Sequence, residues 1–120
     1  MNKALPSELD DIFLGSGALS YPWYGKVDIS DTPDSGWVLT FEDSGAEEEP
    51  GGEYRITHQK LWATIATLAG TEGKAVLGED SRTLKECQRL CFNGADDVDF
   101  DSDMADRVIQ IAAFGEVLYG

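Results

Sequence analysis

The chain has 120 residues, enough for a single domain with a hydrophobic core, and it shows no internal repeat. It carries 23 Asp and Glu against nine Lys and Arg, a formal net charge of −14, while 42% of its residues are hydrophobic. The charge disfavours direct binding to nucleic acid, and the hydrophobic content excludes a disordered acidic tail. We therefore expect one folded domain over residues 1–120 with cationic partners.

The N-terminal residues MNKALPSELDDIF lack the basic and apolar regions of a secretory signal. No stretch of the sequence reaches the roughly 18 apolar residues needed to cross a bilayer. These features predict a cytoplasmic protein that has no contact with membranes.

The first half of the chain predicts one short helix followed by three strands. Leu9, Ile12 and Phe13 recur at helical spacing after Pro6, and Gly15 ends the pattern. Apolar and polar residues then alternate over 26–30, 37–42 and 54–57, as in strands with one buried face. Val27 and Ile29 are the apolar residues of the first strand and are predicted to form its buried face. The acidic segment DSGAEEEPGG separates the second and third strands, which predicts a hairpin with a long acidic tip.

Three helices are predicted after the strands. The first begins at Thr57 and ends at Gly70, and the second runs from Ser81 to Asn93. The segment TEGKAVLGED between them is predicted to be a loop. His58, next to the predicted N-cap Thr57, is expected at the surface or as part of the cap.

The last helix is predicted to begin at Asp101 or Ser102. The run Val108–Tyr119 contains only two strongly polar residues, so it is predicted to be a core helix that other elements cover on more than one face. The predicted fold class is α+β: a three-stranded antiparallel sheet with helices packed on one face and the C-terminal helix central to the core.

Cys87 and Cys91 lie four residues apart on the same face of a predicted helix. Buried reduced thiols are the expected state, with a disulfide or a two-ligand metal site as the alternative. Since His58 is the only histidine, a zinc site of Cys and His lacks ligands.

The sequence has no feature that indicates catalysis. It contains no nucleophile paired with a base, no pattern that selects an acid and a base among its carboxylates, and no complete phosphate-binding glycine loop. We expect no enzyme activity, no cofactor and no metal. Tyr21, Trp23 and Tyr24 suggest either a stacking platform or core packing, and core packing is favoured because no basic groove accompanies them.

The acidic residues are concentrated in two segments that contain no base. Residues 27–54 contain Asp28, Asp31, Asp34, Glu42, Asp43, Glu47, Glu48, Glu49 and Glu53. Residues 94–106 contain Asp96, Asp97, Asp99, Asp101, Asp103 and Asp106. Solubility alone requires only interspersed charges and a net charge of about 2–8 in magnitude. Segregated charge instead attracts a basic surface and accelerates association in a salt-dependent manner.

The second acidic segment has a regular spacing, because Asp97, Asp99, Asp101 and Asp103 occupy every second position. In extended backbone such carboxylates lie about 6.7 Å apart on one side, which suits Lys and Arg arranged to hold phosphates. We therefore hypothesise a protein mimic of the nucleic-acid backbone. The predicted partner-binding residues are Asp96, Asp97, Asp99, Asp101 and Asp103, followed by Glu47, Glu48, Glu49, Asp28, Asp31, Asp34, Glu42 and Asp43.

Other interpretations of the acids remain open from the sequence. The Asp run fits a solvated helix cap, and the hairpin tip fits a solubilising loop. Starting at Asp97, the run also matches the first alternating acids of an EF-hand loop. However, Ser102 replaces the required glycine and Val108 replaces the bidentate Glu.

The ending QIAAFGEVLYG, the segment ECQRLCFN and the Asp-rich link between them resemble a type of small acidic protein carried by phages and other mobile elements. The resemblance covers residues 86–120, and the N-terminal half matches only loosely. It implies a mobile-element product, a context in which small acidic proteins act as DNA mimics against host defence, as anti-restriction or anti-CRISPR inhibitors. The implied partner is the basic DNA-binding surface of a host defence complex. The alternative is a phage accessory or assembly protein that binds a protein partner through an apolar surface.

Overall fold

The computed structural model describes residues 4–45, 52–78 and 81–119, except for the side chain of Asp97. The elements, in chain order, are α1 (Pro6–Leu9), β1 (Tyr24–Asp31), β2 (Trp37–Asp43), β3 (Glu53–Thr57), α2 (His58–Ala69), α3 (Glu72–Leu77), α4 (Arg82–Asn93) and α5 (Ser102–Phe114). A π-helical segment (Asp10–Leu14) continues α1, and short 3-10 turns occupy Ala18–Ser20 and Ala95–Asp97. The strands form an antiparallel sheet in the order β1-β2-β3, so the predicted α+β class is confirmed.

The central strand β2 defines the two faces of the sheet. Leu39 pairs with Ile29 of β1 and with Ile56 of β3, and Phe41 pairs with Tyr54. Because paired residues in antiparallel strands point to the same face, these side chains form the apolar face of the sheet. The opposite face is polar, and a bulge between Gly25 and Asp28 interrupts the pairing of the edge strand β1.

The C-terminal helix α5 packs on the apolar face and crosses the sheet from β1 to β3. Asp106 in its first half contacts Tyr24 of β1, and Phe114 at its end contacts Tyr54 of β3, with ring centroids 4.7 Å apart. Residues from Met104 to Ala112 are buried or partly buried, except for Arg107, which is exposed. The predicted central position of this helix in the core is therefore confirmed.

Three local predictions were wrong. Residues 72–77, predicted as a loop, form the helix α3. Only glycine fits at position 73 in its first turn, because a Cβ there would lie 1.8 Å from the Leu68 carbonyl oxygen. His58 is buried rather than exposed, because its Nδ1 accepts a hydrogen bond from the Trp37 amide (3.2 Å). Val27 and Ile29 are 38% and 45% exposed, because β1 is an edge strand that the helices do not cover.

The predicted hairpin of β2 and β3 is confirmed, while its tip, with Glu47, Glu48 and Glu49, lies outside the described residues. Both cysteines are buried free thiols, as predicted, and burial raises the pKa of the Cys87 thiol to about 12. Over the described ranges, the chain has no helix with the length and apolar character that a membrane crossing requires.

Candidate binding surface and aromatic cleft

Exposed acids from both acidic segments lie on β1 and on the segment that leads into α5. Asp106 of α5 contacts Tyr24 at the start of β1, so the residues before Asp106 approach that end of the strand. Asp28 and Asp31 on β1, and Asp101 and Asp103 at the start of α5, are all exposed. We call these four acids, with Asp99, the β1 side.

The backbone before α5 presents its acids in a regular way. From Val98 to Asp103, the acids Asp99, Asp101 and Asp103 are exposed, and the residues between them are partly buried. Phe100 is one of those partly buried residues, and its ring lies 4.8 Å from that of Phe13. The alternation of exposed acids is therefore present at Asp99, Asp101 and Asp103, but the predicted extended ladder is not continuous, because Asp97 lies in a 3-10 turn and Asp103 in the first turn of α5.

Two further contacts fix the segment that carries these acids. The Asp99 amide donates to Glu86 Oε2 (3.0 Å), and the Asp101 carboxylate caps α5 by accepting from the Met104 amide (2.8 Å). Asp96 is also exposed, on the turn that precedes this segment. Anchored on both sides, the acids are held in place before any partner arrives.

The acids of the β1 side are not neutralised by bases. Within the described part of the chain, Asp28, Asp31, Asp99, Asp101 and Asp103 form no ion pair within 4.0 Å. Glu42, on the polar face of the sheet, does pair with the exposed Lys26 (3.3 Å). The β1 side therefore keeps most of its negative charge available to a partner.

Two predicted site residues serve the fold instead. Asp43 is only 9% exposed and accepts hydrogen bonds from the Tyr119 hydroxyl (2.7 Å) and the Gly45 amide (3.1 Å). Asp34 lies at the far end of the sheet, where it bonds to the Thr32 hydroxyl and the Gln59 amide (3.1 Å). The hydrogen bond from Thr32 is the main reason why the pKa of Asp34 is lowered.

An aromatic cleft lies next to the β1 side, where β1 begins. It has a volume of about 350 Å³ and is lined by Tyr21, Trp23, Asp103, Asp106, Arg107 and Tyr119. The ring of Trp23 is stacked between those of Tyr21 and Tyr119, at centroid distances of 4.9 and 5.5 Å. The Tyr21 hydroxyl donates to Asp103, and this hydrogen bond raises the pKa of Tyr21.

Asp106 forms the buried floor of the aromatic cleft and is 4% exposed. Its carboxylate accepts from Trp23 Nε1 (2.9 Å), the Tyr24 hydroxyl (2.5 Å) and Gln110 Nε2 (2.8 Å). Burial, followed by the hydrogen bond to Asp106, raises the pKa of Tyr24. These three donors satisfy a buried carboxyl group that forms no ion pair among the described residues.

Gln110 extends this network to the C-terminal residues. Its Oε1 accepts from the amides of Leu118 and Tyr119 (2.9 Å each), and its Nε2 also donates to the Tyr119 carbonyl (2.9 Å). Gln110 therefore positions the Tyr119 ring on Trp23. Neither Asp106 nor Gln110 was predicted from the sequence as a site residue. Their four-residue spacing within an apolar helix was the available signal for an internal polar pair.

Within the described residues, no group of three or more His, Cys, Asp or Glu side chains is arranged to hold a metal ion. The sequence matches no protein-family model, and neither a curated protein nor a solved structure matches it significantly. The function must therefore be argued from the β1 side and the aromatic cleft themselves.

Proposed function

We propose that this protein is an acidic DNA mimic that inhibits a host defence complex, of the anti-CRISPR or anti-restriction type. It acts in the host cytoplasm by occupying the positively charged site where the complex binds nucleic acid, and it performs no chemistry of its own. The observation that carries the proposal is the β1 side, whose exposed carboxylates come from two separate segments and form no ion pair among the described residues.

The arrangement of the acids favours a partner that normally binds phosphates. Extended residues two apart place their carboxylates about 6.7 Å from each other. The phosphates of one DNA strand advance about 3.4 Å along the axis per step, with a longer through-space distance because the backbone winds. A basic groove built for such a row of anions can therefore bind Asp99 and Asp101, which lie two apart before α5, and Asp103 adds a third carboxylate from the first turn of the helix.

The anchoring of the acids also supports binding. Phe100 packs against Phe13, and Asp101 caps α5, so the segment does not have to be ordered on association. Preorganised groups lose less conformational entropy when they bind. The net charge of −14 adds long-range attraction to a basic groove.

A second candidate function is a phage accessory or assembly protein that binds through an apolar surface. The exposure of Val27 and Ile29 on the edge strand favours it, since unpaired strand edges with apolar side chains can add a strand from another chain. Salt distinguishes the two candidates. Mimicry predicts binding that weakens steeply with added salt, whereas apolar strand pairing is nearly insensitive to salt.

A pair of charge-reversal variants tests the proposed function. In the test variant, Asp28, Asp31 and Asp99 are each replaced by Lys. In the control variant, three exposed acids outside the β1 side, Glu53, Glu72 and Glu116, are each replaced by Lys. Both variants have the same net charge, and neither alters the α5 cap or the aromatic cleft.

The assay measures displacement of labelled duplex DNA from purified CRISPR surveillance complexes and restriction enzymes. We expect the test variant to lose at least about tenfold in potency against the complex that the wild type inhibits, and the control to lose less than about threefold. Equal losses in both variants would show that total charge matters rather than the β1 side. An unaffected test variant would refute the proposed function.

A further inference from the structure

We infer that the aromatic cleft is a binding site for a guanidinium group, supplied by an arginine side chain of the partner. The identity of that partner rests on the proposed function, but the chemistry of the cleft does not. The cleft adjoins the β1 side through Asp103, so a protein bound to the β1 side can insert a side chain into it.

The charge of the cleft favours a cation. The buried carboxylate of Asp106 accepts hydrogen bonds from three neutral donors. At the rim, one oxygen of Asp103 accepts from Tyr21, while among the described residues its second oxygen has no hydrogen-bond partner. Arg107 is the single base in the lining, so the two carboxylates leave the cleft negative.

The walls of the cleft favour a planar cation over a compact one. The rings of Tyr21, Trp23 and Tyr119 line the cleft as one aromatic stack, in which the two tyrosines cover Trp23 and leave their own outer faces for a planar cation. A guanidinium group stacks on aromatic rings and donates two parallel hydrogen bonds to a carboxylate, whereas an ammonium is more strongly hydrated and donates from a single point. The second oxygen of Asp103 can accept a hydrogen bond from a guanidinium group that lies against these rings.

Arg107 provides a test of whether the ligand of the cleft is a cation or an anion. It lies one helical turn after Asp103, is exposed, and forms no ion pair with either of the described carboxylates of the cleft. A like charge at the rim opposes a cationic ligand and would attract an anionic one. Its removal must therefore strengthen binding if the ligand is a cation, and weaken binding if the ligand is an anion such as a phosphate.

Binding in the cleft can be measured on the Trp23 side chain, with Trp37 and Trp62 as internal references. Trp23 Nε1 lies in the cleft, bonded to Asp106, whereas Trp37 Nε1 donates to the Pro6 carbonyl (2.9 Å) and Trp62 is buried on α2. The ¹⁵N-labelled protein is titrated with the capped peptide acetyl-Gly-Arg-Gly-amide, and the three indole N–H signals are followed by NMR. The same peptide with citrulline, the neutral analogue of arginine, is the ligand control.

We expect the arginine peptide to shift the Trp23 signal in a saturable manner, with the other two indoles unaffected and no effect from citrulline. Asp103→Asn, which keeps an acceptor for Tyr21, should weaken binding about fivefold, while Asp99→Asn outside the cleft should change it less than about twofold. Arg107→Gln should tighten binding about twofold. Tighter binding of free L-arginine than of the capped peptide would overturn the assignment to a protein side chain, because the site would then be one for the amino acid.

The inference is also overturned if the Trp23 signal does not respond, if citrulline binds equally well, or if Arg107→Gln weakens binding. This inference and the proposed function can be tested separately. The variant with Asp28, Asp31 and Asp99 reversed keeps the cleft, so it should still bind the arginine peptide after losing DNA displacement. Conversely, Asp103→Asn tests the cleft with the other acids of the β1 side in place.

Discussion

The replacement of Asp106 by Asn tests the buried network that supports the aromatic cleft. Asn has the same shape as Asp, and its carbonyl can still accept from Trp23 and Tyr24. Its amide nitrogen, however, would face Gln110 Nε2, a donor that lies 2.8 Å from the native carboxylate. Gln110 cannot reverse its own amide, because its oxygen already accepts from the amides of Leu118 and Tyr119.

The expected cost can be worked out from these contacts. Loss of the hydrogen bond to Gln110, with two buried donors left facing each other, costs about 1–3 kcal/mol. The bonds from Trp23 and Tyr24 change from charged to neutral, which costs about 0.5–1 kcal/mol each. Relief from burying a charge offsets part of this sum. We therefore expect the unfolding free energy to fall by about 2–3 kcal/mol.

The assay is urea unfolding followed by tryptophan fluorescence, with Asp99→Asn as a control for the same chemical change at an exposed position. The control should lie within about 0.5 kcal/mol of the wild type. Adding Gln110→Glu to Asp106→Asn supplies an acceptor for the introduced amide but removes the donor to the Tyr119 carbonyl, so the double variant should recover only a small part of the loss. A cost below about 0.5 kcal/mol for Asp106→Asn would refute this account of the network.

Three further predictions concern the fold. Tyr119→Phe removes the hydrogen bond to the buried Asp43 and should lower the unfolding free energy by about 1–2 kcal/mol in urea titrations. Gly73→Ala places a methyl group against the Leu68 carbonyl and should lower the melting temperature, whereas Ala at the unobstructed, exposed Gly70 should cost far less. The Cys87 thiol has a raised pKa of about 12 in the folded chain against 9.0 when exposed, so the unfolded chain releases this proton first as pH rises. Stability should therefore decline from pH 9 towards 12, and the slope should be shallower in Cys87→Ala.

Much of the fold follows from the sequence because the patterns are local. Alternation over residues 37–42 predicts the central strand, and the apolar run after Val108 predicts a helix buried on several sides. The errors arise where tertiary contacts override the pattern. Val27 and Ile29 alternate like buried strand residues, yet whether a strand lies at the edge of a sheet depends on contacts that the local sequence does not contain.

The candidate site was predictable only in part. The base-free Asp run before α5 could be found from spacing, and the structure describes Asp99, Asp101 and Asp103 as exposed. Charge counting could not separate Asp43 and Asp106 from the surface acids, because their burial depends on donors such as Tyr119 and Trp23, more than 70 residues away along the chain. The aromatic cleft could not be predicted from Tyr21, Trp23 and Tyr24 alone, because the residues that complete it, such as Asp106 and Tyr119, are equally distant along the chain.

The most direct test of DNA mimicry is competition with DNA itself. The concentration of wild-type protein that gives half-inhibition of a purified target is measured at increasing concentrations of unlabelled duplex DNA, at fixed salt. If the β1 side occupies the DNA site, this concentration should rise in proportion to the DNA present. Half-inhibition that is independent of DNA concentration, or simultaneous binding of protein and duplex to the target, would contradict the account.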